Sequence, residues 1–193
     1  MTKDLDFNAH PKLFGGRVDA KLHHDDFHAD MSQLNTLGML HMLIYPEIFD
    51  STLNGKLDYN LAKKSGSFNA KLTKGHFTKN QMLDLIKQYG KIDLYAETFL
   101  STIASKIRQE KIYTNLDMRS NTSSIVGKNV YLNTKTKQVD ATLDVNANNN
   151  PIKVTLKGNV SKPSVNVDAS KLIERELKKE AGKQINNLIK GLF

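Results

Sequence analysis

The chain has 193 residues and a formal net charge of +8, and it contains no cysteine and no tryptophan. This length suits one domain, and the absence of cysteine excludes both a disulfide framework and a thiolate site. A basic chain favours an anionic partner, either nucleic acid or the surface of an anionic membrane. No run of about twenty apolar residues is present, so the sequence predicts no helix that crosses a bilayer.

Most of the chain alternates between apolar and polar residues, which predicts antiparallel strands with one apolar and one polar face. The alternating stretches lie at 18–23, 53–61, 67–72, 112–118, 138–145 and 152–157. Lys-rich turns at 63–66 and 134–137 separate neighbouring stretches as hairpin loops do, and 146–151 is a polar loop. The pattern therefore predicts a β-rich fold built largely from hairpins.

Three internal helices are predicted, at 32–44, 81–89 and 97–108. The first begins at a Ser32 cap and is apolar nearly all round, so it should be buried or fill a cavity. The second has Asn80 as its cap and ends at Gly90. The third follows from apolar residues that recur every four positions from Phe99 to Ile107.

A fourth helix is predicted over 169–193, with a single apolar stripe on one side. The stripe consists of Ile173, Leu177, Ala181, Ile185, Leu188 and Leu192. Six basic and three acidic residues make the rest of the helix basic. We favour packing of the stripe against the sheet. The alternative is contact with an anionic membrane surface, for which the candidates are Lys178, Lys179, Lys183 and Lys190.

The stretch from His23 to Asp30 is the only candidate for a metal site. On an extended strand, one face would offer nitrogen and oxygen ligands from His24, Asp26, His28 and Asp30. A hairpin turn at 25–26 would instead break the alternation and scatter these ligands. We favour the turn, and we predict no metal.

The sequence contains no recognisable catalytic constellation. His41 has Glu47 close in sequence, but neither a triad nor a nucleophile elbow is present. The residues 15–17 lack the spacing of a phosphate loop. Lysines are spread along strands and turns without interleaved aromatic residues, which argues against nucleic-acid binding. We therefore predict no enzymatic activity, no cofactor and no nucleic-acid partner.

The chain ends in a distinctive order of elements: a strand to Gly158, a Ser-Lys-Pro break, a short strand to Asp168 and the terminal helix. The segment Leu156-Lys157-Gly158-x-Val160-Ser161-x-Pro163-x-Val165-x-Val167-Asp168, with the ending Leu188-Ile189-x-Gly191-Leu192-Phe193, resembles the C-terminal region of AsmA-like proteins. The hairpin Gly55-Lys56-Leu57-Asp58-Tyr59-Asn60-Leu61 with Gly66-x-Phe68, and the apolar helix before it, are also similar to that family. The resemblance covers about 16–193.

The resemblance implies a Gram-negative envelope protein that is anchored at its N-terminus in the inner membrane and lies mostly in the periplasm. The family is similar to TamB-type bridge-like proteins, which are thought to move lipids between membranes. The charged N-terminus has no apolar signal region. The chain is therefore either cytosolic or a periplasmic segment of a longer protein. We expect the second, with 1–193 as a single domain that has its sheet and helices over 12–168.

Together, the patterns and the resemblance predict an α+β, β-rich fold, in which a curved antiparallel sheet wraps one or more helices and a C-terminal amphipathic helix follows. We expect a non-enzymatic module that binds or guides phospholipid or another envelope lipid for outer-membrane lipid homeostasis. The candidates for the lining of its apolar groove are Leu57, Tyr59, Leu143, Val145, Val154 and Leu156, which would be plain core if helices fill the concave side. The alternative is an interaction domain that docks another envelope protein by pairing at a sheet edge.

Overall fold

The computed structural model describes residues 6–90, 92–147, 149–171, 173–175, 177, 178, 180, 181 and 183. In this part of the chain, the protein is β-rich, with one open antiparallel sheet of twelve strands and few helices. The strands are β1 (Phe7–Ala9), β2 (Lys12–Leu13), β3 (Gly16–His23), β4 (Asp26–Asn35), β5 (Phe49–Asn60), β6 (Ser65–Phe77), β7 (Phe99–Arg108), β8 (Lys111–Arg119), β9 (Ser123–Asn133), β10 (Gln138–Ala147), β11 (Asn150–Asn159) and β12 (Ser164–Asp168). The helices between strands are α1 (Thr36–Met42) and α2 (Gln81–Gly90).

From β3 onward, neighbouring strands in space are also neighbours in sequence. The order is β1-β3-β4-β5-β6-β7-β8-β9-β10-β11-β12, and β2 also pairs with β3. The hairpin turns after β3, β5, β7, β9 and β11 lie at one end of the strands, which we call the turn end. Because the chain reverses at each turn, α1 and α2 connect strands at the opposite end, which we call the helix end.

The predicted alternation of apolar and polar residues is confirmed in the strands. On β10, Leu143, Val145 and Ala147 are buried, and the residues between them are exposed. Val145 lies opposite Ile152 on β11 and opposite Ile125 on β9. Because paired residues point to the same side of a sheet, these side chains share one apolar face, and the other face is polar.

Three β-bulges keep the apolar face continuous along the longer strands. Gln33 in β4, Lys74 in β6 and Asn129 in β9 lie where the pairing register shifts. Their φ angles are 56°, 53° and 51°, in the left-handed region. Each bulge moves the following residues by one step, and the apolar residues of the sequence shift by one step at the same places.

The core lies toward the helix end, where α2 contributes its buried face. Met82, Leu83 and Ile86 of α2 belong to one buried cluster with apolar residues of β4 to β11. Although α2 joins β6 to β7, it contacts β11 and β12. The rings of Phe49, Phe77 and Phe99 add edge-to-face contacts, with centroids 4.9 and 5.4 Å apart.

Polar contacts hold the segment after α2 against the helix. Asn80 caps α2 as predicted, because its side-chain oxygen accepts a hydrogen bond from the backbone of the first turn. The Tyr95 hydroxyl oxygen lies 3.0 Å from the backbone oxygen of Asn80 and 2.8 Å from Asp84 Oδ1, either of which can accept its one proton. Lys87 Nζ lies 2.5 Å from Asp93 Oδ2. This hydrogen bond, together with that from the Tyr95 backbone N–H, lowers the pKa of Asp93.

The prediction of a helix at 97–108 is wrong, since 99–108 form strand β7. Phe99, Ile103 and Ile107 point to the apolar face, as their spacing of four residues also allows in a strand. The positions between them on that face are Ser101 and Ser105, which are both buried. Because these two positions hold polar serines, the sequence of this strand does not alternate between apolar and polar residues.

The prediction for the first helix is only partly confirmed. The helix begins at Thr36 and its cap is Asn35, whose side chain accepts from Gly38 N at 2.9 Å, while 32–35 belong to β4. The expectation that the helix is buried is wrong at its C-terminal end, since Met39 packs against the core cluster but Met42 is 57% exposed. A surface that the sequence assigned to the core therefore faces solvent.

The terminal helix is described only in part. Helical backbone is found at 170, 171, 173–175, 177, 178, 180, 181 and 183. Ile185, Leu188, Leu192, Lys179 and Lys190 lie outside the described residues. Ile173 and Leu177 are 56% and 63% exposed, so the predicted packing of the stripe against the sheet is wrong for these two. Arg175 donates to the backbone oxygen of Asn149 in the β10–β11 turn.

Among the described residues, no helix has the length and apolar character needed to cross a bilayer.

The burial of α2 predicts a large loss of stability when its inner face is truncated. Ile86 is fully buried, so Ile86→Ala should lower the free energy of unfolding by about 2–5 kcal/mol in urea titrations. Gln88→Ala, on the exposed side of the same helix, should change it by less than about 0.5 kcal/mol. Equal effects of the two substitutions would contradict the packing of α2 in the core.

The contact between Lys87 and Asp93 predicts an acid-sensitive contribution to stability. The pKa of Asp93 is lower in the folded chain, so its contribution is complete above the unfolded pKa of about 3.9 and is lost as the pH falls through the folded value. Lys87→Met should raise the pKa of Asp93 in an NMR titration, because it removes the largest cause of the shift. Lys79→Met, an exposed lysine before α2, serves as the control and should leave that pKa unchanged.

Candidate functional site

A continuous row of apolar side chains crosses the sheet near the turn end. Direct cross-strand pairs connect its members from β3 to β11. In order across the sheet, they are Leu22, Phe27, Tyr59, Gly66, Ile107, Ile112, Leu132, Val139 and Gly158. We call this row the apolar strip. Because neighbouring strands lie about 4.8 Å apart, the strip extends for roughly 38 Å at right angles to the strands.

The apolar strip is partly open to solvent. Leu22 is buried, but the other side chains of the strip are only half-buried. Tyr59, Ile107, Ile112 and Leu132 neither belong to the buried core cluster nor pack against it. A continuous apolar surface that remains partly accessible is a candidate for a site of interaction.

Two glycines shape the surface of the strip. A Cβ atom at Gly66 would lie 2.1 Å from the backbone oxygen of Asp58 and 2.9 Å from Tyr59 Cδ2. Any larger residue at this position is therefore excluded, and the Tyr59 ring lies beside the glycine. Gly158 has a φ of 101°, a conformation that side-chain-bearing residues rarely adopt. Because glycine has no side chain, the surface of the strip is recessed at both Gly66 and Gly158.

A second feature lies two rows nearer the helix end. Met31, Gly55, Ala70 and Ile103 are paired in register across β4 to β7. Two small residues therefore stand between two large ones on the apolar face. These four residues are part of the lining of an open depression of about 480 Å³.

The six predicted groove residues divide into two groups. Leu57, Tyr59 and Leu156 lie half-buried on the apolar face, and Tyr59 is a member of the strip. The other three are buried members of the core cluster, namely Leu143, Val145 and Val154. These three are inaccessible to a ligand in this structure.

Of the nine residues of the strip, sequence reasoning named only Tyr59 as a candidate for the groove. Ile112 and Val139 stand in alternating stretches, so their position on the apolar face was visible in the sequence. Ile107 was hidden inside the predicted helix at 97–108. Leu132 follows the bulge at Asn129, which changes the phase of the alternation on β9.

The four predicted metal ligands are not brought together. His24 lies in the hairpin turn, at 24–25, and has a φ of 55°. The other three point to the polar face, where each has a partner on β5: Asp26 bonds to Asn60, His28 to Asp58 and Asp30 to Lys56. The turn that we weighed against the metal site is therefore present, one residue earlier than predicted.

The structure instead groups Asp6, His23 and His24 at the edge of the sheet. Their ligand atoms lie within 4.8 Å of one another, and all three residues are exposed. The carboxylate of Asp6 accepts from the backbone N–H of His24 and lies 3.1 Å from Nδ1 of His23. The group has the ligand types that transition metals accept, but its carboxylate already has two protein partners.

The remaining charged clusters are exposed ion pairs of the surface. His41 Nδ1 lies 2.7 Å from Glu47 Oε1, and the His41 side chain is 81% exposed. Hydrogen bonds from Arg17 and His10 lower the pKa of Asp19 on the polar face of β3. Such exposed pairs contribute little to stability, and neither of these includes a nucleophile.

Two of the four lysines predicted to contact a membrane are among the described residues. Lys178 and Lys183 are exposed, and Lys178 Nζ lies 2.7 Å from Glu174 Oε1 one helical turn away. Lys179 and Lys190 lie outside the described residues. Contact between this basic surface and an anionic membrane therefore stays a prediction.

No family model matches this chain, and neither a curated protein nor a solved structure is similar to it at a significant level. The relationship to AsmA-like proteins therefore remains a prediction from the sequence motifs.

Proposed function

We propose that the chain is a non-enzymatic lipid-handling module, in which the apolar strip holds an acyl chain of a phospholipid or another envelope lipid. The strip itself is the observation that carries this proposal. It offers a ligand an accessible apolar path across nine strands, with the Tyr59 hydroxyl as its only polar side-chain group. An acyl chain has no hydrogen-bonding groups, so a path of this kind suits it.

The energetics favour an acyl chain over a polar ligand. Transfer of each methylene group from water to an apolar surface contributes about 0.8 kcal/mol when burial is complete. A polar ligand on the same surface would lose its hydrogen bonds to water without replacing them. Partial burial along the half-open strip reduces the gain for each methylene, but the strip is long enough to contact many of them.

We further propose that the sheet curls round α2, so that the strip lies on the concave side. Contacts between elements that are distant in the sheet support this shape. Besides the contact of α2 with β11 and β12, Lys137 in the β9–β10 turn places its Nζ 3.7 Å from the centre of the Tyr45 ring. Tyr45 lies between α1 and β5, several strands away.

The turn end supplies charge for a lipid headgroup. The hairpin turns beside the strip contain four exposed or half-exposed lysines: Lys63, Lys64, Lys135 and Lys137. Lys162 adds a fifth positive charge in the turn between β11 and β12. Lysine side chains at the end of an apolar path suit the phosphate of a phospholipid whose acyl chain lies on the strip.

The resemblance to AsmA-like proteins gives this proposal its cellular setting. In that setting, the chain is a periplasmic part of a longer protein that is anchored in the inner membrane of a Gram-negative bacterium. Its role is to bind or guide lipid for outer-membrane lipid homeostasis. The half-open strip is compatible with a ligand that moves along the sheet.

Lipid binding should depend on the strip and not on the polar face. Ile107→Asp introduces a charge into the middle of the strip and should weaken the binding of a fluorescent phospholipid by at least about tenfold. Leu100→Asp is the matched control. Leu100 is on the same strand, points to the polar face and is 60% exposed, so its substitution should leave binding unchanged.

The same variants should differ in the lipid that they retain during purification. Native mass spectrometry and lipid extraction should find bound phospholipid or fatty acid with the wild-type chain and the Leu100→Asp variant, and little with the Ile107→Asp variant. Thermal melting of all three chains checks that they remain folded. Equal binding by the two variants, or a wild-type chain that binds no lipid, would refute the role of the strip.

A chain that binds no lipid would favour the alternative of an interaction domain. The outer edge of β12 has no partner strand among the described residues and could accept a strand from another envelope protein.

A further inference from the structure

We propose that the end of α1 and the segment between α1 and β5 insert into the surface of an anionic lipid bilayer. The inserted residues would be Met42, Leu43, Ile44 and Ile48, which we call the apolar tip. This membrane contact uses other apolar residues than the lipid site proposed above, because none of the four belongs to the apolar strip.

The exposure of the tip is the first observation. Met42, Leu43, Ile44 and Ile48 are 57%, 49%, 81% and 42% exposed. A single exposed apolar residue is ordinary on a protein surface. Here four such residues lie within seven positions, and three of them are consecutive. They form an apolar patch whose exposure to water is unfavourable.

The backbone of Ile44 is held in a costly conformation. Its φ is 56°, in the left-handed region, where a β-branched residue is a genuine outlier. The fold therefore presents a large apolar side chain to solvent at a position where glycine or asparagine would be less strained. Strain of this kind clusters at functional sites, so the outlier supports a role for the exposed side chain.

Part of the backbone of the tip is hydrogen-bonded within the protein. The N–H groups of Leu43, Ile44 and Tyr45 donate to Met39, His41 and Leu40 oxygens, at 3.0, 3.1 and 2.9 Å. The Leu43 oxygen accepts from Lys137 Nζ at 3.4 Å. A segment that enters lipid must satisfy its backbone groups internally, because lipid tails offer no partners. The tip meets that requirement at the three N–H groups and the one carbonyl oxygen named here.

The base of the tip has the groups that suit a membrane interface. Tyr45 presents an aromatic ring and a hydroxyl, and tyrosine is enriched at the level of the lipid headgroups. Lys137 lies over that ring, and Lys135 belongs to the same turn. With a net charge of +8 on the whole chain, these lysines favour an anionic surface.

The size of the patch favours a membrane over a protein partner. A stable protein interface needs about 20–30 residues on each side, whereas the tip has four. Shallow insertion needs no such area, because a few apolar side chains and nearby positive charges act together.

A fluorescent label can test the insertion directly. The chain has no cysteine, so Ile44→Cys and Leu100→Cys each give one labelling site for an environment-sensitive fluorophore. With vesicles of about three parts phosphatidylglycerol to seven parts phosphatidylcholine, the emission from position 44 should shift to the blue. Pure phosphatidylcholine vesicles should give a weaker shift, and the label at position 100 should not respond.

Vesicle sedimentation with unlabelled variants gives an independent measure of affinity. Ile44→Glu should weaken binding to the anionic vesicles by at least about tenfold, whereas Leu100→Glu should not. Ile44→Gly should also weaken binding, while its melting temperature should equal or exceed that of the wild type, because glycine relieves the left-handed strain. Loss of binding by this variant cannot result from unfolding.

Several outcomes would overturn the proposal. Vesicle binding that persists in the Ile44→Glu variant, with a silent label at position 44, would assign membrane contact to another surface such as the exposed terminal helix. The absence of vesicle binding by the wild-type chain would exclude insertion. Self-association without lipid that Ile44→Glu abolishes would identify the tip as a contact between copies of the chain.

Discussion

The register of the antiparallel pairing is the constraint on which the rest of the structure depends. Successive strands pair in sequence order, and side chains on each strand alternate between two faces. A slip of one residue between any two strands would move an entire apolar set to the polar face. The bulges at Gln33, Lys74 and Asn129 each add one residue where the sequence changes phase, so the apolar face is preserved over the full length of the strands.

The extent of this apolar face explains why part of it remains open. Helix α2 has ten residues and is about 15 Å long, whereas the strip alone extends for roughly 38 Å across the sheet. A helix of this length can bury one region of the face, and it does so toward the helix end. The region near the turn end is then left with half-buried side chains. The core and the proposed lipid site are thus two parts of one apolar face. The part that α2 covers is the core, and the part beyond the end of α2 is the proposed site.

The two surfaces that we assign to lipid, the apolar strip and the apolar tip, differ in form. The strip is paired in register across the sheet and flanked by basic turns, which suits an extended ligand. The apolar tip lies at the end of α1 and in the loop that follows, where the backbone N–H groups of Leu43, Ile44 and Tyr45 are hydrogen-bonded. The contact of Lys137 with Tyr45 joins the loop that bears the tip to the β9–β10 turn. A protein that exchanges lipid with a membrane needs both a place to hold the lipid and a place to touch the bilayer.

The sequence by itself determined the alternation of the strands, most hairpin turns, the position of α2 and its Asn80 cap, because these depend on neighbouring residues. It could not identify β7, since Ser101 and Ser105 are buried among apolar partners that only the sheet brings together. It placed Leu143, Val145 and Val154 beside Leu57 and Tyr59, because alternation shows which face a residue points to. Alternation does not show which part of that face α2 covers. Only the tertiary structure decided which apolar residues form the core and which stay accessible, because that depends on contacts between elements far apart in the chain.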